Sequence, residues 1–164
     1  MYRMLKLFLI LLFPICLFAL PIDQEQPMHI TANSSVFNFK TGSNIYEGAV
    51  KVDQGTSHLT ADRLITNNNK HKIEEAIAYG INKPAEYSTL PKAGDAIFYA
   101  KAKEIQFYPT QSIIILKGNV LVTQGKNSFQ GPFIVYNMKD QIVTTPASKT
   151  GQATVVIEPD KLTS

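Results

Sequence analysis

Apolar and polar residues alternate with a period of two along most of the chain. Val50 and Val52 alternate with Lys51 and Asp53, and Leu59 and Ala61 with His58, Thr60 and Asp62. Farther on, Ile105 and Phe107 alternate with Glu104, Gln106 and Tyr108, and Val120 and Val122 with Asn119, Leu121 and Thr123. Successive side chains of an extended strand point to opposite faces, so each stretch predicts a strand with one apolar and one polar face. Gly, Asn, Pro and Ser interrupt the pattern at intervals of about ten residues. They predict turns at 40–44, 54–57, 67–71, 83–84, 91–95, 109–112, 125–128 and 137–140. The stretch 72–78 carries a brief helical pattern, but Ile73, Ala76 and Ile77 also suit a strand. The pattern predicts an all-β chain of many short antiparallel strands, roughly a dozen or more at usual strand and turn lengths.

One strand-like phrase is written twice. GAVKVDQGTSHLTADRL starts at Gly48 and GNVLVTQGKNSFQGPFIV at Gly118, an offset of 118 − 48 = 70. At that offset Val50 meets Val120, Val52 meets Val122, and Gln54 and Gly55 meet Gln124 and Gly125. Backwards, Ala32 meets Ala102 and Phe37 meets Phe107, so the repeat covers about 30–66 and 100–136. Gly48 and Gly118 interrupt strand patterns, where glycine marks a bulge or a close approach. Gly55 and Gly125 belong to turns. A unit of this kind cannot bury its apolar face alone and stacks on its neighbour. In the second copy GPF (131–133) replaces ADR (61–63), and a proline inside a strand predicts an edge or bulge there.

The chain has 164 residues, 45% hydrophobic and 18% charged, enough for one packed domain. MYRMLK followed by LFLILLFPICLFA reads as the positive and apolar regions of a secretory signal peptide, with cleavage after Ala19. That leaves 20–164 as a single exported domain. Removing Arg3 and Lys6 lowers the formal charge from +3 to +1, too weak a field for nucleic acid. The single cysteine, Cys16, falls in the signal, so the mature chain has no disulfide or thiolate chemistry.

Candidate chemistry is sparse. His29, His58 and His71 lack metal-ligand spacing, and no nucleophile elbow or phosphate-binding glycine loop occurs. Asp62, Glu74, Glu75 and Asp95 are the carboxylates that a pair would draw on, but nothing in the sequence brings two of them together. Arg63, Lys70, Lys72, Lys83, Lys101 and Lys103 serve as solubility or edge-protecting charges, or alternatively meet anionic groups at a rim. No enzyme activity, cofactor or metal is expected. Met28–His29–Ile30 near the start and Val155–Val156–Ile157 near the finish are uncharged, strand-like and suited to strand addition.

GAVKVDQG with LTADRL, and GNVLVTQG seventy residues on, resemble the OstA-like repeat of the periplasmic lipopolysaccharide-transport bridge proteins (LptA type). QPMHI (26–30) resembles that family's first mature strand, YGINKPAEY (79–87) its central segment and VVIEP (155–159) its closing strand. The resemblance spans nearly the whole mature chain. It implies a β-jelly roll, V-shaped in section and open at both ends, in the periplasm. It also implies carriage of lipopolysaccharide from inner to outer membrane, with strand stacking on itself and on inner- and outer-membrane components of the transport system. If the two sheets splay, the inner residues form an apolar groove for the lipid A chains. On the first copy these are Met28, Ile30, Val50, Val52, Leu59, Ala61 and Leu64, followed by Tyr87. On the second they are Ile105, Phe107, Ile115, Val120, Val122, Phe129, Ile134 and Tyr136. The alternatives are a membrane-anchored partner of the same fold and a ligand-free structural β-repeat protein with a closed core.

Overall fold

The computed structural model describes residues 23–70, 72–147 and 151–158. The signal peptide assigned to 1–19, Cys16 and His71 lie outside the described residues. The first copy contributes β1 (His29–Thr31), β2 (Ser34–Asn38), β3 (Ser43–Gln54), β4 (Ser57–Asn69), β5 (Lys72–Tyr79) and β6 (Ala85–Thr89). The second contributes β7 (Phe98–Ala102), β8 (Glu104–Tyr108), β9 (Ile113–Gln124), β10 (Asn127–Asn137), β11 (Ile142–Thr144) and β12 (Thr154–Val156). The ambiguous stretch at 72–78 is strand.

All pairings are antiparallel, and the long strands β3, β4, β9 and β10 each serve two rows. One row runs β2–β3–β4–β5–β8–β9–β10–β11, using Ser43–Glu47 of β3 and Arg63–Asn69 of β4. The other runs β1–β3–β4–β6–β7–β9–β10–β12, using the opposite halves of the same long strands. The copies are therefore joined twice, by β5 on β8 and by β6 on β7.

The rows part where the long strands bend. Gly48 and Ala49 have φ of 78° and 47°, and Gly118 and Asn119 have 77° and 51°. Both pairs lie in the left-handed region, which glycine enters without steric cost. The β3–β4 register shifts between Glu47 and Val50 and the β10–β9 register between Gly131 and Phe133, so Pro132 sits at a bulge as its sequence position predicts. At the first bend Asp62 accepts the main-chain N–H of Ile81 at 2.7 Å, Asn82 at 2.5 Å and Lys83 at 3.3 Å. Those bonds favour its ionised form and hold its pKa below the usual carboxylate value. Asp62 thus ties down the 81–83 connection and takes no part in an acid–base pair.

Between the rows lies one apolar core. Phe98, Ile105, Ile114, Leu116, Val122 and Ile134 are fully buried, each contributing about 1.5–3 kcal/mol by area. Ile115 is a correction: Ile114 and Leu116 point inward, and Ile115 between them is on the outer face, opposite Gln106 and Val135.

Candidate functional site

The two copies differ at the side away from the bends. In the second copy the rows are closed over the core. Phe98 of one row stacks on Tyr136 of the other, with centroids 4.0 Å apart and planes 10° from parallel. Beside them Gln141 Nε2 donates to Asp95 Oδ2 at 3.2 Å and links the two rows' connecting loops. Seventy residues earlier, Met28 stands for Phe98 and Thr66 for Tyr136, while Asn44 stands for Ile114. Smaller or polar side chains cannot fill the same space, and a groove of about 720 Å³ opens between the rows.

Met28, Val52, Leu59 and Tyr87 line this groove from one row, and Leu64, Thr66, Ile73, Ala76 and Phe107 from the other. Tyr136 and Met138 form its end toward the second copy, and Leu90, Pro91 and Ala93 of the β6–β7 connection form part of its rim. The wall between the rows is mainly apolar, apart from Thr66, whose Oγ1 accepts from Asn44 Nδ2 at 3.4 Å, while Gln26, Gln54, Thr56, Ser57 and Thr89 add polar lining. Burial raises the pKa of the neighbouring Tyr46 despite its hydrogen bond to Thr66, so its phenol stays neutral at physiological pH. Tyr87 meets Phe107 edge-on at 4.8 Å across the rows and Phe98 at 6.4 Å, making an aromatic ladder that ends at Tyr136.

A strap crosses the rim. Asp23, in a 3-10 turn (Asp23–Glu25), accepts from the N–H of Thr56 at 2.9 Å and from the hydroxyls of Thr56 at 2.8 Å and Ser57 at 2.7 Å. A longer bond of 3.3 Å comes from the hydroxyl of Thr89. Burial opposes the carboxylate, but the four bonds outweigh it and leave its pKa below the usual value.

Of the residues named from sequence, Met28, Val52, Leu59, Leu64, Tyr87, Phe107 and Tyr136 line the groove. Val50, Ile105, Val120, Val122 and Ile134 belong to the closed core beside it. Ile30, Ala61 and Phe129 pack half-buried against that core. Asp23, Thr66, Ile73, Ala76 and Met138 were missed. Comparison of inner positions at the offset of 70 carried a signal for Thr66, since it replaces a tyrosine.

His29 is on β1, and His58 pairs with the exposed Asp53 at 2.6 Å. Among the described residues no group of three or more His, Cys, Asp or Glu could hold a metal ion, and no helix is long and apolar enough to cross a membrane. Among the basic residues, Arg63 meets Glu47 at 3.3 Å on the surface.

Among the described residues, each end of the molecule presents two strands with one unpaired edge. β1 and β2 end the rows on one side, with Val36, Phe37 and Phe39 exposed. β11 and β12 end them on the other, with Ile142, Val155, Val156 and Ile157 exposed.

The family described as LptA/(LptD N-terminal domain) LPS transport protein matches residues 29–142. The lipopolysaccharide export system protein LptH of Pseudomonas aeruginosa is 33% identical over 150 residues, covering 87% of this chain and 85% of that protein. The lipopolysaccharide export system protein LptA of Escherichia coli K12 is 24% identical over 145 residues, covering 88% and 78%. The crystal structure of Pseudomonas aeruginosa LptH, described as the LptA-homologous periplasmic component of the conserved lipopolysaccharide transport device, superposes with a TM-score of 0.78 at 32% identity. That match covers 85% of this chain and all of the other.

Proposed function

The chain belongs to the LptA/LptD N-terminal domain family of lipopolysaccharide transport proteins, and from that premise we propose that it is a periplasmic carrier and bridge whose first-copy groove shields lipid A acyl chains. The observation that carries this reading is the groove of about 720 Å³, opened where Met28 and Thr66 replace the Phe98 and Tyr136 of the second copy. Shielding needs no chemistry. Each methylene taken from water contributes about 0.8 kcal/mol, so ten contribute about 8 kcal/mol. Export through a cleaved signal at 1–19 places the domain with its lipid.

The internal seam supplies a template for the bridge. In the second row, Tyr87 of β6 faces Ala100 of β7. Val156 stands to Ser128 as Ser88 stands to His58, so Val155 is the counterpart of Tyr87. Ile30 is the counterpart of Ala100 at the offset of 70. Val155 of one molecule then faces Ile30 of the next. In the first row Ala76 faces Phe107, and their counterparts are Val143 and Phe37. In the second row a large–small pair inside the molecule becomes a medium–medium pair at the joint, of similar summed volume, and in the first row the phenylalanine is kept while valine takes the place of alanine. Such a contact is heterologous and does not close, so it extends. Membrane-bound partners carrying the same fold would dock on the same edges.

The test is photo-crosslinking with lipopolysaccharide. A photoreactive residue at Tyr87 or Phe107 is expected to give lipid adducts, and one at the outward Lys51 or Asp53 is not. Adducts confined to the outward positions would overturn the groove as the lipid site.

A further inference from the structure

The groove does not run the length of the molecule. Tyr136 closes it toward the second copy, with Phe98 stacked behind. Phe129 and the β12 edge lie past this pair. A lipid lodged against Tyr87 therefore meets a wall before it reaches the end that stacks on the next molecule.

The wall carries an internal cost. Tyr136 is 1% exposed, yet its hydroxyl is buried with no hydrogen-bond partner. An orphaned buried hydroxyl costs about 1–3 kcal/mol relative to a satisfied one. Rotating the ring into the groove, toward solvent, would let that hydroxyl regain a partner. Stacking with Phe98 and burial of the ring oppose the rotation. The Asp95–Gln141 bond ties the loops that must part for it, Asp95 before β7 and Gln141 after β10. The stack and the Asp95–Gln141 bond thus hold the closed arrangement, and a satisfied hydroxyl would favour an open one, as a two-position element requires.

We propose that the stacked Phe98–Tyr136 pair is a gate on the path of the acyl chains, closed in this structure and opened when Tyr136 swings into the groove. The proposal rests on the lipid-carrier reading above. It gives the two copies different duties: the first holds chains, and the second admits them onward only when the pair separates.

The experiment uses the full chain with Cys16 replaced by Ser, Asp95→Cys and Gln141→Cys. A short bis-methanethiosulfonate reagent bridges the two thiols and reductant releases them. A photoreactive phenylalanine analogue is placed at Tyr87 in one sample and Phe129 in another, and both are irradiated with lipopolysaccharide. The released protein is expected to give adducts at both positions. The bridged protein is expected to keep the Tyr87 adduct and lose the one at Phe129. A second arm needs no bridge: Phe98→Leu should raise the Phe129 adduct relative to the Tyr87 adduct, and Tyr136→Phe should lower that ratio. Equal Phe129 adducts in bridged and released protein, or none in either, would overturn the gate while leaving the carrier intact. Absence of the Tyr87 adduct throughout would overturn the carrier reading and the gate with it.

Discussion

The main-chain N–H of Asn33 donates to the carbonyl of Gly48 at 2.9 Å, and seventy residues on the N–H of Lys103 donates to that of Gly118 at the same distance. The bend is thus built twice from the same backbone bond. At Gly48 an added Cβ would stand 2.6 Å from Asn33 Nδ2, at a φ of 78°. At Gly94 the φ is 85° but nothing lies within 4 Å. Gly94→Ala is expected to cost only the left-handed penalty, about 1–2 kcal/mol. Gly48→Ala is expected to add a steric cost of about 1–3 kcal/mol. Urea denaturation of the two variants checks this, and equal losses would show that the approach to Asn33 is unimportant.

The phenol of Tyr136 is pushed up to about 12, first by burial and then by the charges of Tyr87 and Asp95. With a native pKa above the ordinary value of 10.0, the protonated phenol favours the fold below pH 10. That contribution is lost as pH rises from there through about 12. Tyr136→Phe removes both the titration and the orphaned hydroxyl. The variant is expected to gain about 1–2 kcal/mol at neutral pH. It should also flatten the alkaline limb of stability against pH. Denaturation at pH 7 and pH 11 reads both.

Asp23 works in the opposite direction. Its folded pKa is depressed, so its bonds to Thr56, Ser57 and Thr89 stabilise the strap above the ordinary carboxylate value of 3.8 and are lost as pH falls below it. Asp23→Asn is expected to loosen the strap at neutral pH, because an amide accepts weaker bonds than a carboxylate. Hydrogen exchange at the Thr56 amide should quicken and that at Ile114, in the closed core, should not. A variant with unchanged exchange at Thr56 would show that the strap is held by other contacts.

The strands, the two copies and the bends were legible in the sequence because each leaves a local mark: period two, a fixed offset, a glycine inside a strand. Ile115 was not, because Ile113, Ile114, Ile115 and Leu116 form an unbroken apolar run with no alternation to choose a face. The division of one long strand between two rows was also hidden. Nothing local in β3 tells that Asn44 pairs toward β2 and Val52 toward β1. For the same reason the edges read from sequence were one strand per end, where the structure has two, adding Phe37 on β2 and Ile142 on β11. The groove required knowing that Met28 and Thr66 lie across from one another, a relation of tertiary structure that the pattern of either strand cannot supply.

The claim at the centre is that the seam between copies inside the molecule is also the seam between molecules. A chain carrying Ile30→Cys and Val155→Cys, with Cys16 replaced by Ser, tests it under mild oxidation. The register predicts a ladder of disulfide-linked multimers. A chain carrying Ile30→Cys and Val156→Cys instead puts its thiols on opposite faces, because a slip of one residue inverts every side chain, and should stay monomeric. Equal ladders from both chains, or none from the first at high protein concentration, would contradict the account.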